Sequence, residues 1–148
     1  MEIFDKVNII LNVDITEKDL LLKEIAKRIC DLGYANEEEK VYEGLKDREK
    51  DSETALGDGF AIPHTKSASI TTPGVLFVKT IEEIKWSEEE SANVFIVLFT
   101  PIENEGNIHL KMLSSLSRKL INSEFKNLLH SSDDVEVLYQ NITNALAN

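Results

Sequence analysis

The sequence predicts a single α/β domain, a mixed β-sheet flanked by helices, and three observations predict it. Two stretches with apolar residues at helical spacing precede a group of short apolar runs, and further helical stretches follow, an order that suits a sheet with helices packed around it. The run Val94 to Phe99 is continuously apolar, as expected of a strand in the middle of a sheet covered on both faces. A length of 148 residues with 42% hydrophobic content suits one core. No repeat, low-complexity tract or Gly/Pro/Ser linker divides the chain, so residues 1–148 read as one domain.

The elements follow in order. Val7 to Leu11 reads as a strand or extended segment. Thr16, with Asp19 three residues on, marks a helix start; Leu22, Ile25 and Ile29 form its inward stripe and Gly33 ends it. A second helix starts at Asn36 with Glu39 three residues on, carries Val41 and Leu45 inward and runs toward Arg48. Gly59 to His64, Gly74 to Thr80 and Asn93 to Thr100 read as strands. Helices are expected from Asn107 to Ile121, Ser123 to Leu129 and Ser132 to Leu146.

Composition narrows the function classes. Sixteen Lys/Arg against 27 Asp/Glu give a net charge of −11, which repels polyphosphate backbones, so nucleic acid is not an expected partner. The blocks Glu37-Glu38-Glu39, Glu88-Glu89-Glu90 and Asp133-Asp134 read as solvated helix starts and loop faces, with a docking surface for a basic partner as the alternative. Apolar runs fall far short of the ~20 residues of a membrane span, and the acidic start Met1 to Asp5 is unlike a signal peptide, so a cytoplasmic protein without membrane insertion is expected. The one cysteine, Cys30, permits no internal disulfide and sits on a helical stripe with Ile25, Ala26 and Ile29, where a small buried hydrophobe is the natural reading.

The segment richest in chemistry is Gly57-Asp58-Gly59-Phe60-Ala61-Ile62-Pro63-His64. Phe60, Ala61 and Ile62 read as a short buried strand that Pro63 halts, since it has no N–H to donate. His64 is thereby delivered at a strand end, and Gly57 and Gly59 allow a tight loop expected to pack beside the imidazole. Neutral imidazole near pH 7 is a nucleophile that can accept and release a phosphoryl group. His109 shares a helical face with Leu113, Leu116 and Leu120, which taken alone favours a partly buried structural histidine. Arg48 lies in the mixed-charge string Lys46-Asp47-Arg48-Glu49-Lys50-Asp51, where it can pair with Glu49 or Asp51, or clamp an anion. Lys66 reads as solvated, though near enough in sequence to His64 to attract anions. No P-loop, three-glycine dinucleotide fingerprint, nucleophile elbow or His-Glu-x-x-His pair is present, and His130 is expected near an exposed helix end; no metal or other cofactor is expected.

Arg48, Thr54, Gly57, Ala61, Ile62, Pro63 and His64 follow an order that resembles the type 2 enzyme IIA domains of the bacterial phosphoenolpyruvate-dependent sugar phosphotransferase system, the fructose/mannitol family. The likeness continues through Gly74 to Lys79, Trp86, Asn93 to Phe99, Pro101 and His109 to Leu116, covering nearly the whole chain. The resemblance implies a phosphocarrier that accepts a phosphoryl group on His64 from phospho-HPr and passes it to the cysteine of a cognate IIB domain. It also implies a second histidine, His109, that orients the nucleophile or donates to phosphoryl oxygens, Arg48 as their charged clamp, and Thr54, Gly57 and Gly59 as loop or phosphoryl support. Nitrogen-related members of the same family supply the alternative, a regulator whose phosphorylation state controls other proteins. The sugar is not legible.

Overall fold

The computed structural model describes residues 1–103 and 105–147. Among them, β1 (Ile9–Val13), α1 (Lys18–Asp31) and α2 (Glu38–Asp51) lead into three short strands, β2 (Ala55–Gly57), β3 (Gly59–Ala61) and β4 (His64–Lys66). Two long strands follow, β5 (Gly74–Lys85) and β6 (Ser91–Thr100), then α3 (Ile108–Lys119), α4 (Ser123–Ser131) and α5 (Val135–Ala147). The sheet order is β1-β5-β6-β3-β2, with β4 also paired to β6. It is mixed: β1 runs parallel to β5, and β3 and β4 run parallel to β6, whereas β5 pairs antiparallel with β6 and β2 with β3.

The continuous apolar run of β6 has the predicted cause. Phe95, Val97 and Phe99 face a core shared with Leu22, Ile25 and Ile29 of α1 and Val41 and Leu45 of α2. Val94, Ile96 and Leu98 face the opposite core, shared with Met112 and Leu116 of α3, Leu129 of α4 and Leu138 and Ile142 of α5. Because successive strand side chains alternate between faces, only a strand covered twice needs apolar residues at every position. Cys30 packs at the margin of the first core.

Several expectations shift. Lys6–Asn8 form a 3-10 turn, so the first strand begins at Ile9. Asn36 does not cap α2; its N–H donates to Ser69 O, and the helix begins two residues later. Ala55–Gly57, absent from the expected strands, is a strand because its backbone pairs with β3. β5 runs on past Thr80 to Lys85, with a register irregularity between Lys79 and Ile84. On α3 the buried residues are His109, Met112, Ser115 and Leu116, while Leu113 is half-buried.

The strand expected over Gly59 to His64 is two strands. Ala61 pairs with Phe95 and His64 with Leu98, three residues on along each side of the ladder, so the ladder resumes in the same register after Pro63. Pro63 interrupts pairing rather than ending it: its carbonyl still accepts from Leu98 N at 3.0 Å, and Ile62 N donates to Thr54 O at 3.0 Å instead of to β6. The interruption frees the Ile62 carbonyl for another donor.

Candidate functional site

β4 and β6 run parallel and end side by side, Lys66 opposite Thr100, and α3 starts a few residues beyond β6. Crevices outside the carboxyl ends of parallel strands are common ligand sites, and a helix N-terminus adds free N–H groups and positive dipole. Here the crevice is a shallow depression of about 460 Å³ lined by Gly44, Asp47, Arg48, Asp51, His64, Thr65, Lys66 and His109.

His64 is 9% exposed and its ring is held at both nitrogens. Nδ1 lies 2.7 Å from Ile62 O, and Arg48 Nε donates to Nε2 at 2.9 Å. A guanidinium can only donate, so Nε2 must hold a lone pair and Nδ1 must carry the proton given to Ile62 O. Burial pushes the His64 pKa below the ordinary histidine value, an effect that the Ile62 hydrogen bond opposes and the Arg48 charge reinforces. The ring is therefore neutral at pH 7, with one nitrogen available as nucleophile.

Arg48 does not pair with Glu49 or Asp51 as its neighbourhood suggested. Besides His64 it donates from Nη1 to Ser52 O at 2.8 Å, which fixes the guanidinium over the last turn of α2. The helix can lie this close to β4 because of Gly44, one turn earlier. A Cβ at Gly44 would overlap the Thr65 hydroxyl, and Thr65 follows His64 directly.

His109 lies in the first turn of α3, also 9% exposed, with its ring centroid 5.4 Å from that of His64 and the planes tilted by 54°. Its Nδ1 is 3.5 Å from Thr100 Oγ1, a fully buried hydroxyl at the end of β6. Burial lowers the His109 pKa to about 4, and the repulsion that its protonated form would meet from a protonated His64, Lys66 and Arg48 adds to the effect. Two neutral imidazoles beneath a fixed guanidinium and an exposed Lys66 form a site suited to an oxyanion.

Three residues expected at the site lie elsewhere. Thr54 is buried; its hydroxyl donates to Glu49 Oε2 and accepts from Trp86 Nε1 at 3.2 Å, so it faces protein rather than the depression. Gly57 and Gly59, with Asp58 between them, all have positive φ and form the β2–β3 turn at the far end of β3. The turn packs on α4 instead of beside His64. His130 Nε2 lies 2.6 Å from Asp58 O, the His130 ring meets Phe60 edge to face at 4.6 Å, and a Cβ at Gly59 would strike that imidazole. His130 lies in the last turn of α4, near the helix end as expected, and is half-buried.

Sequence reasoning singles out neither Gly44, Glu49 nor Thr100. A signal exists for the first two: Val41, Leu45 and Glu49 continue one buried stripe at steps of four, and Gly44 stands one turn before Arg48 on the adjoining face. Thr100 carries no comparable mark.

Residues 2–145 match the family model described as "Phosphoenolpyruvate-dependent sugar phosphotransferase system, EIIA 2". The chain is 34% identical over 120 residues to the PTS system fructose-like EIIA component of Escherichia coli (strain K12), covering 80% of both proteins. It is 28% identical over 138 residues to the PTS system fructose-specific EIIABC component of Bacillus subtilis (strain 168), covering 93% of this chain but only 22% of that protein. Its fold matches that of nitrogen regulatory protein IIA-Ntr from Neisseria meningitidis with a TM-score of 0.86 at 25% identity, over 95% of this chain and 96% of that one. A TM-score of 0.80 at 23% identity, over 95% and 97% of the two chains, relates its fold to Escherichia coli enzyme IIA of mannitol, solved in complex with phosphorylated IIB.

Proposed function

The chain belongs to the EIIA 2 family of the phosphoenolpyruvate-dependent sugar phosphotransferase system, and from that premise we propose that it is a phosphocarrier working through His64. The observation that carries the reading is the Nε2 lone pair of His64, turned to the depression while Nδ1 is tied to Ile62 O. In the proposed reaction Nε2 attacks the phosphorus of a phosphohistidine on HPr. The new N–P bond forms as the donor N–P bond breaks, the donor imidazole keeps the bonding pair, and His64 keeps its Nδ1 proton throughout.

Such a transfer needs alignment and charge neutralisation more than proton movement. Arg48 is the natural clamp: once Nε2 is phosphorylated its guanidinium loses that acceptor and gains phosphoryl oxygens in its place. In this role His109 would accept from the Thr100 hydroxyl at Nδ1 and present the opposite N–H to the phosphoryl group, and Lys66 and the positive N-terminal end of the α3 dipole would add to the potential. The cysteine thiolate of a cognate IIB then takes the group from His64 by the same in-line exchange. Both partners must use one shallow site in turn, and no helix among the described residues is long and apolar enough to cross a membrane.

The test is incubation with phosphoenolpyruvate, enzyme I and HPr. One acid-labile, base-stable phosphoryl group per chain is expected, and none on His64→Ala; stoichiometric labelling of His64→Ala would refute the assignment. The likeness to IIA-Ntr favours a second reading, a regulator read by other proteins in its phosphorylated or free form. Transfer from the labelled protein to a IIB cysteine supports the carrier; a stable phosphoprotein that no IIB discharges supports the regulator.

A further inference from the structure

Behind the site, and absent from its surface, is a closed set of polar contacts around a buried carboxylate. Glu49 is 6% exposed, on the opposite side of α2 from the depression. Its Oε1 accepts from Thr54 N at 3.1 Å and from Lys18 Nζ at 3.0 Å, and its Oε2 accepts from the Thr54 hydroxyl. Lys18 Nζ also donates to Trp86 O at 2.8 Å, and Trp86 Nε1 donates to the Thr54 hydroxyl at 3.2 Å. A carboxylate taken out of water is costly unless paired and fully hydrogen-bonded, and this one is both. A hydrophobic residue would fill the end of the Val41–Leu45 stripe at lower cost, so its presence calls for a reason.

The contacts lead to the nucleophile. Glu49 holds the Thr54 backbone and side chain at once; Thr54 O accepts Ile62 N at 3.0 Å; Ile62 O takes the His64 Nδ1 proton at 2.7 Å. At Ile62 the β6 ladder is interrupted ahead of Pro63, so Thr54 O is the partner that anchors the Ile62 N–H. The imidazole tautomer is set by what the two ring nitrogens bond, so Ile62 O at Nδ1 acts together with Arg48 at Nε2 to keep the lone pair on Nε2.

We propose that Glu49 is a positioning residue that, through Thr54 and Ile62, helps to fix His64 as the Nδ1–H tautomer, with the Nε2 lone pair held by Arg48 until the phosphoryl donor takes that place. Arg48 precedes Glu49 directly in the same turn of α2, so Glu49 also registers the guanidinium against Nε2. This inference rests on the phosphocarrier reading for its consequence in transfer, though not for its effect on the ring.

The test joins two measurements on Glu49→Gln and Thr54→Val, with Thr54→Ser as the conservative control. Nitrogen-15 NMR of the imidazoles reports the His64 tautomer directly, and phosphorylation by phospho-HPr reports the rate. Wild type and Thr54→Ser should show one tautomer, protonated at Nδ1. Glu49→Gln and Thr54→Val should show exchange between two tautomers and a transfer rate lower by roughly tenfold, the size expected when one charge-assisted hydrogen bond is lost. Thr54→Val decides the matter if Glu49→Gln does not fold. Folded variants that keep a single Nδ1–H tautomer and a wild-type rate would overturn the proposal. If wild type takes no phosphoryl group yet the variants mix tautomers, the positioning role stands and the phosphocarrier reading falls.

Discussion

Arg48 Nε donates to His64 Nε2 at 2.9 Å, so the guanidinium rests on the same nitrogen that the phosphoryl group would occupy. In the resting protein the arginine selects the lone-pair nitrogen; in the phosphorylated protein it must move from nitrogen to oxygen. Arg48→Lys keeps the charge and loses the planar fork. It should melt near wild type and transfer roughly tenfold to a hundredfold more slowly, since charge-assisted hydrogen bonds contribute about 1.5–3 kcal/mol. Stopped-flow transfer in both directions checks this; unchanged rates would mean that the guanidinium is no clamp.

The two histidines make stability depend on pH with a definite sign. His109 titrates at about 4 in the folded protein against an ordinary 6.5, so between those values the unfolded chain binds the proton and the folded chain does not. Its contribution is fully present above pH 6.5 and is lost as pH falls to about 4. His64, also lowered, adds to the slope in the same direction. Urea titrations from pH 7 to pH 4 should show falling stability, and His109→Gln should flatten the fall.

Gly44→Ala runs against helix propensity. In an open helix the change gains about 1 kcal/mol. At this position the new Cβ meets the Thr65 hydroxyl, so α2 must shift away from β4. The expected result is a lower melting temperature with weakened phosphorylation of His64, and recovery of both when Thr65→Ala is added. A melting temperature raised by Gly44→Ala alone would show that the helix has room to spare.

Leu116 is fully buried and Leu113 half-buried on the same helix. Leu116→Ala should cost about 2–5 kcal/mol, or roughly 4–20 °C in melting temperature for a chain of this size, and Leu113→Ala distinctly less. His109→Ala should disturb melting less than Leu116→Ala while impairing transfer. Thermal melts of the three variants separate packing from chemistry on one helix.

The sheet and its helices were legible because the code for them is local. An apolar residue at every position of β6 announces a strand buried on both faces, and the Leu22, Ile25, Ile29 stripe announces α1. His64 stood out through the company of Pro63, but the ladder resuming beyond the proline could not be read, because it depends on Leu98 of another strand. The same limit hid the fate of Gly57 and Gly59. Their positive φ was evident from residue type, whereas the neighbour they accommodate, His130, comes from far along the chain. Arg48 and Glu49 illustrate it most plainly. Adjacent in a charged string, they meet different neighbours, Arg48 His64 and Glu49 Lys18, and which of them reaches the site depends on where β4 lies.

The most direct measurement is phosphorus-31 and nitrogen-15 NMR of the protein after incubation with phosphoenolpyruvate, enzyme I and HPr. One phosphoryl group is expected, on Nε2 of His64, with Nδ1 still protonated and bonded to Ile62 O. A phosphoryl group on Nδ1, on His109 or on any residue of the His64→Ala variant would contradict it.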